Sequence, residues 1–455
     1  MFYLTQTIHH HLTPITHHLT MSISTYTLSN GLRVIARRVD SDIVYCGYSI
    51  KAGARNEQKG EEGLAHFCEH MTFKGTETLS PLKIINALDS VGGELNAYTA
   101  KEETCYYAAI MKQHFRKAVN LLTDIVFNSI YPQTEIEKEC EVVCDEIESY
   151  RDSPAELIYD DFENEMFGSA VDANTSADGM MFGSRASLGH NVLGDKDTVR
   201  SFTTADCQRF TSRLYTPDRA VFYVLGDVDV EKVIPLLEKT PGSSLLQVDT
   251  SLHESNQCHI KLPPSGGLGR GSSNSLITKS MDTHQAHVMM GTVITDRIED
   301  WRMPLYLANN ILGGPSMNSR LNISLREKRG LVYTVESLMT SYTDTLLWTT
   351  YFGCDHHDVR RCMRLVNSEL QRLRRAPLSL SRLNAAKQQI KGQITLAAQN
   401  SENYAIDMAK QYLHYNKVKD YERLFRKIDS VTPEQICALM NEVLTEDHLL
   451  TLIYK

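Results

Sequence analysis

The stretch that most constrains this chain is Gly63-Leu64-Ala65-His66-Phe67-Cys68-Glu69-His70-Met71. Wound as an α-helix at about 100° per residue, it puts His66, Glu69 and His70 in one sector and Leu64, Phe67 and Met71 on the opposite side. One face then packs, while the other presents two imidazoles and a carboxylate to a common point. Imidazoles at i and i+4 can share a zinc ion, and a neighbouring glutamate that is not a ligand can take a proton from water. So short a motif recurs by chance in long chains, so the reading requires a further ligand from elsewhere in the sequence.

At 455 residues the chain is too long for one ordinary core, and two domains of roughly 200 residues each are expected. Its composition, 42% hydrophobic and 23% charged, is that of a globular protein. No apolar run reaches the length of a membrane span. A net charge of −9 with no basic run argues against a nucleic-acid binder. Neither a membrane nor a nucleic acid is therefore expected as partner. The ten cysteines contain no C-x-x-C pair, and Cys68 lies inside the histidine stretch. They read as reduced thiols in a reducing compartment, the cytoplasm. Cys140 and Cys144, at i and i+4, have the spacing of metal ligands, but small buried packing residues are the simpler reading.

Along the chain, residues 1–20 are rich in Thr and His and lack both a basic leader and an apolar core, so they read as a disordered leader or a mis-assigned start before Met21. Strands are expected at 26–28 and 32–36 around the Asn30-Gly31 turn, then at 43–51, 94–99 and 104–110. Helices are expected over 81–91, 112–129 and 133–151. In the last of these, Glu139 and Glu146 stand seven residues, two turns, apart on one face, while Ile136, Val143 and Ile147 mark the packing side. A carboxylate on an inward stripe needs a partner, and a zinc ion held by two histidines is one. A buried strand at 220–227 follows a helical stretch that includes the Gly/Met-rich run 178–183. The Pro/Gly/Ser-rich segment around 263–273 is the clearest linker. A second run then repeats the order strand, strand, helix, strand, strand, helix, which suggests an internal duplication. The expected organisation is therefore 21–250, a linker at 251–275, and 276–455.

H-x-x-E-H is the reverse of the zinc-peptidase order H-E-x-x-H. With His66-Phe67-Cys68-Glu69-His70, Phe73-Lys74-Gly75-Thr76, Glu139 and Glu146, the chain resembles the pitrilysin/insulinase superfamily, peptidase family M16. Within it, the half-length branch with the mitochondrial processing peptidase β subunit and bacterial processing-peptidase-like proteins is the most similar. The resemblance implies an α+β fold of two similar α/β domains, each an antiparallel-rich sheet covered by helices, together forming half of a clam-like shell. It implies one Zn2+ per chain held by His66, His70 and Glu146, because the family's third ligand lies 76 residues beyond the second histidine. It makes Glu69 the general base and Glu139 the carboxylate that tunes the site.

Further matches carry further expectations. Gly93-Glu94-Leu95-Asn96-Ala97-Tyr98-Thr99 resembles the family's edge strand, where Asn96 and Ala97 contact the backbone of an added peptide. Arg326 and Tyr333 match the pair that reaches the substrate carbonyl in full-length members. Gly313-Gly314-Pro315-Ser316-Met317-Asn318 resembles the glycine-rich loop before that pair, but is shorter than in the mitochondrial α subunit and carries no expectation of presequence capture. A half-length chain bearing both elements is expected to form a homodimer, with Arg326 and Tyr333 serving the partner's zinc. The expected activity is a zinc metalloendopeptidase cleaving unfolded peptides in an enclosed chamber. The rival readings are a non-catalytic peptide-binding subunit and a zinc hydrolase of small non-peptide substrates.

Overall fold

The computed structural model describes residues 23–168, 185–240 and 275–455. The leader at 1–20, the run at 178–183 and all but Ser275 of the expected linker lie outside the described residues. The fold mixes helices with two sheets, as the resemblance implies.

The first sheet contains β1 (Ile23–Thr27), β2 (Arg33–Arg37), β3 (Ile43–Ile50), β4 (Glu94–Thr99), β5 (Thr104–Met111) and β6 (Ala220–Leu225), in the order β1-β2-β6-β3-β5-β4. The second contains β7 (Leu276–Lys279), β8 (Ala286–Ile294), β9 (Val332–Ser341), β10 (Leu346–Cys354) and β11 (Leu450–Tyr454), in the order β7-β11-β8-β10-β9. Leaving β1 aside, the two sheets share one topology. In each, the first and last strands of the unit are parallel neighbours (β2 with β6, β7 with β11), and the remaining pairs are antiparallel. The rhythm read along the sequence is thus a repeated sheet. β4 and β9 are its equivalent outer edges.

Helices α1 (Leu64–Thr72), α2 (Pro81–Asp89), α3 (Phe115–Phe127) and α4 (Gln133–Arg151) belong to the first unit. Leu64, Phe67, Leu122, Ile125 and Val143 share a core with Val34, Cys46, Tyr48, Tyr106 and Phe222 of the sheet. Strand alternation sends the intervening residues Ile35, Cys105, Val221 and Tyr223 to the opposite face. That face is apolar too, and its cover comes from the other end of the chain. After α5 (Pro154–Gly168), α6 (Ile298–Gly313), α7 (Val359–Arg375) and α8 (Leu380–Ala397), helix α9 (Ser401–Tyr415) lays Tyr404, Met408, Tyr412 and Leu413 on it. The exchange is mutual. Ile158, Phe162 and Phe167 of α5 pack on Met289, Leu347, Tyr351 and Leu452 of the second sheet.

Polar groups fasten both crossings. Glu103, 1% exposed, takes the Lys410 ammonium on one oxygen and His414 Nε2 on the other at 2.8 Å. Arg33 donates to the carbonyl of Tyr412 at 3.0 Å. On the other side, Tyr342 and Tyr454 donate to Glu163 and Asp161, each at 2.7 Å. Arg55 forks onto Asp344 at 2.9 and 2.6 Å and onto Glu102 at 2.6 Å.

β11 and the helices Tyr421–Ser430 and Pro433–Glu442 were not anticipated from the sequence. Leu450-Thr451-Leu452-Ile453-Tyr454 alternates too weakly to announce a strand, because it is buried on both faces.

Burial opposes ionisation of Glu103, but the hydrogen bonds and charges of His414 and Lys410 outweigh it and hold its pKa below the ordinary carboxylate range. A depressed folded-state pKa gives stability that is present above the unfolded pKa and lost as pH falls through the folded one. Glu103→Gln should therefore cost about 3 kcal/mol at neutral pH. In denaturant titrations, the gap from wild type should close below roughly pH 4.

Candidate metal centre

α1 starts at Gly63, whose φ of +93° favours glycine. A Cβ there would also sit 2.6 Å from the carbonyl oxygen of Leu193. The first amides of a helix lack intrahelical acceptors, and here a buried carboxylate receives them. Glu57 accepts from the Gly63 amide at 3.0 Å and the Ala65 amide at 2.7 Å. His190 Nε2 lies 2.7 Å from the same carboxylate and braces it. Along α1, Leu64, Phe67, Cys68 and Met71 are wholly buried. Phe67 packs on Phe202 with ring centroids 5.3 Å apart. The opposite face carries His66, Glu69 and His70, as the spacing required.

α4 crosses that face. Glu146 Oε1 lies 3.9 Å from His66 Nε2, and Glu146 Oε2 lies 3.5 Å from His70 Nε2. One donor atom from each of these three residues falls within a 4.8 Å span. Donors about 2.0–2.1 Å from a tetrahedral zinc are separated by roughly 3.4 Å, close to the spacing seen. Glu139, one α4 face with Glu146 but more deeply set, receives His70 Nδ1 at 3.0 Å and Lys74 Nζ at 2.5 Å. That bond fixes the proton on Nδ1 and turns the Nε2 lone pair toward Glu146. The expectation that both glutamates lie on an inward stripe holds for Glu139, 8% exposed, while Glu146 is 45% exposed.

The electrostatics suit a cation. Burial, then the neighbouring His70, pushes the His66 pKa down to about 3, so the imidazole is neutral and free to coordinate. Burial also disfavours charge on His70, but the Glu139 hydrogen bond and the charges of Glu146, Glu139 and Glu69 raise its pKa overall. Three carboxylates thus converge on two imidazoles, and the donor set fits a divalent ion. Burial raises the Glu69 pKa, partly offset by the hydrogen bond from Thr99. Cys140 and Cys144 are buried beside the site, and Cys140 donates to the Val199 carbonyl at 3.3 Å. They pack rather than point at the donors.

Thr99 is the last residue of β4, and its hydroxyl donates to Glu69 Oε2 at 2.5 Å. The outer strand of the sheet is thereby tied to the acid of the motif. Asn96 and Ala97 lie on the same strand, paired only inward with Tyr107 and Tyr106 of β5. Neither Glu57 nor Thr99 was singled out from the sequence. Each acts across a loop or strand end, and no periodicity reports such a contact.

Arg326 lies in the turn Asn322–Glu327, with its guanidinium carbon 5.9 Å from the ring centroid of Tyr333. Tyr333, 80% exposed, is the second residue of β9. Among the described residues, no hydrogen bond, ion pair or ring contact joins this pair to His66, His70 or Glu146. The structure brings the pair together, but not onto the cluster within one chain.

The sequence pattern of the insulinase family (peptidase family M16) matches residues 33–179, and that of the peptidase M16 inactive domain matches 201–390. The chain is 31% identical over 436 residues to the uncharacterized zinc protease YmxG of Bacillus subtilis, covering 95% of this chain and 98% of that protein. It is also 31% identical to an uncharacterized zinc protease of Mycobacterium leprae, over 92% of this chain and 89% of the relative. In fold it is similar to a protease from Helicobacter pylori, with a TM-score of 0.79 at 20% identity over 95% of this chain and 99% of that one. A peptidase M16 inactive domain from Pseudomonas fluorescens gives 0.77 at 17% identity, over 95% and 98% of the two chains. Two family patterns in tandem, with relatives aligned over nearly their whole length, show that the chain belongs to peptidase family M16.

Proposed function

We propose that this chain is a zinc metalloendopeptidase with one zinc ion bound by His66, His70 and Glu146. The observation that carries the reading is the convergence of those three donors beside a fourth group, Glu69, held back from the cluster by Thr99. Zinc, when bound, supplies Lewis-acid activation of water and of a carbonyl oxygen. Glu69 takes the proton from the attacking water and returns it to the leaving nitrogen. Its partial burial suits this role by keeping its basicity above that of a solvated carboxylate. Glu139 orients His70.

The unpaired edge of β4 receives an extended peptide by strand addition, Asn96 and Ala97 meeting its backbone. Because Thr99 joins that strand to Glu69, the added peptide runs directly past the acid. Among the described residues Arg326 and Tyr333 make no contact with the cluster of their own chain, which is compatible with a homodimer in which each pair steadies the developing oxyanion at the partner's site. Unfolded peptides entering the chamber between two such copies are the substrates. The nine cysteines among the described residues are free thiols, eight of them buried, which favours the cytoplasm as location. No described helix is long and apolar enough to cross a membrane.

Glu69→Gln should lower turnover of a mixed peptide library by about 10³-fold or more while the protein keeps stoichiometric zinc. Appreciable cleavage by that variant removes the mechanism, and zinc-loaded wild type that cleaves no peptide favours a non-catalytic binding subunit. Glu139→Gln should weaken zinc binding by about 10–100-fold in chelator competition. Mixing Glu69→Gln subunits with Arg326→Ala/Tyr333→Phe subunits should restore activity through one intact composite site. No recovery in verified mixed dimers counts against action in trans.

A further inference from the structure

A cavity of about 410 Å³ opens between residues 320–329, α7 and the first turn of α8. It shares no residue with the metal centre. Its wall holds Arg320, Lys328, Arg329, Arg372 and Arg382 against one carboxylate, Glu369. Such a concentration of positive charge stands out on a chain whose net charge is −9.

Glu369 does not neutralise it. That carboxylate is 5% exposed and already accepts from Arg372 Nη1 at 2.6 Å. Arg329 is turned onto the Ser324 carbonyl at 2.7 Å. Among the described residues, the side chains of Arg320, Lys328 and Arg382 make no hydrogen bond or ion pair. Arg320 is half-buried, and burial together with the charges of Arg382 and Arg372 lowers its pKa despite the attraction of Glu369. Cations gathered around one cavity repel one another, more strongly where solvent is thinned. A multiply charged anion in the cavity relieves that repulsion and gives the three unpartnered groups acceptors. Four of the five cations are guanidinium groups, whose planar forks match phosphate oxygens two at a time. The volume is that of a small-ligand site.

We propose that this cavity binds a compact phosphoryl polyanion, a short run of linked phosphates, inorganic or at the end of a nucleotide. The ligand would lie against the turn that carries Arg326, whose winding includes a bond from the Lys328 amide to the Ile323 carbonyl at 3.1 Å.

The test is isothermal titration of the zinc-loaded full chain with inorganic tripolyphosphate, ATP and AMP. Tripolyphosphate should bind once per chain, and Arg382→Gln should weaken it about tenfold or more. Arg320→Gln should do the same. Arg382 is exposed, so its variant carries the test even where Arg320→Gln fails to fold. Arg360→Gln, an exposed arginine of α7 outside the cavity, should leave the affinity unchanged. ATP matching tripolyphosphate, with AMP far weaker, assigns a nucleotide's phosphate tail to the cavity; ATP much weaker than tripolyphosphate assigns the inorganic form. No saturable tripolyphosphate binding, AMP as tight as ATP, or equal losses in Arg360→Gln and Arg382→Gln would each overturn the proposal.

Discussion

Both sheets of this chain are apolar on both faces, and neither half supplies enough helix to cover its own. The first sheet buries Val34, Cys46 and Phe222 under its own helices, but it sends Ile35, Val221 and Tyr223 the other way. Left to water, that second face would forfeit roughly 1.5–3 kcal/mol for each large side chain it exposes. α9 and α5 remove the penalty reciprocally, each crossing to the opposite unit. The constraint binds the halves more firmly than a flexible linker could. It also places charged groups such as Glu103 and Arg55 where they must be paired, and each is paired with residues from the far half.

The geometry of the candidate metal centre depends on that rigidity. α1 is only nine residues long, too short to hold its own shape in water. It is fixed by apolar packing below, by Glu57 and His190 at its start, and by α4 across its polar face. Coordination needs donors placed to a few tenths of an ångström, and a frayed helix would not deliver that. The β4–β5 hairpin joins the same system, since Thr99 touches Glu69 while Glu103, four residues on, grips α9. The outer strand β4, the Glu69 carboxylate and the crossing helix are therefore mechanically continuous.

The repeated topology carries different side chains at equivalent places in its two units. α1 stands between the second and third strands of its unit, and α6 occupies the equivalent place in the other. Where α1 carries His66, Glu69 and His70, the buried face of α6 carries Trp301, Leu305 and Ala308. One unit sets the candidate metal ligands His66 and His70 on this helix. The other sets an apolar core there and carries Arg326 between the helix and its outer strand, and Tyr333 on that strand.

Much of this was legible in the chain itself. The i, i+4 histidines with an intervening glutamate dictated the two faces of α1, and the seven-residue step dictated that Glu139 and Glu146 share a face of α4, because helical geometry is local and periodic. The alternation of sheet and helix was readable for the same reason. Tertiary structure alone decided what covers the second face of each sheet, which carboxylate reaches the His70 Nδ1 and which faces Nε2, and that Glu57 and Thr99 support the site. Those contacts join residues far apart in the chain, or bridge loops whose direction no repeat encodes, so only the packed chain determines them.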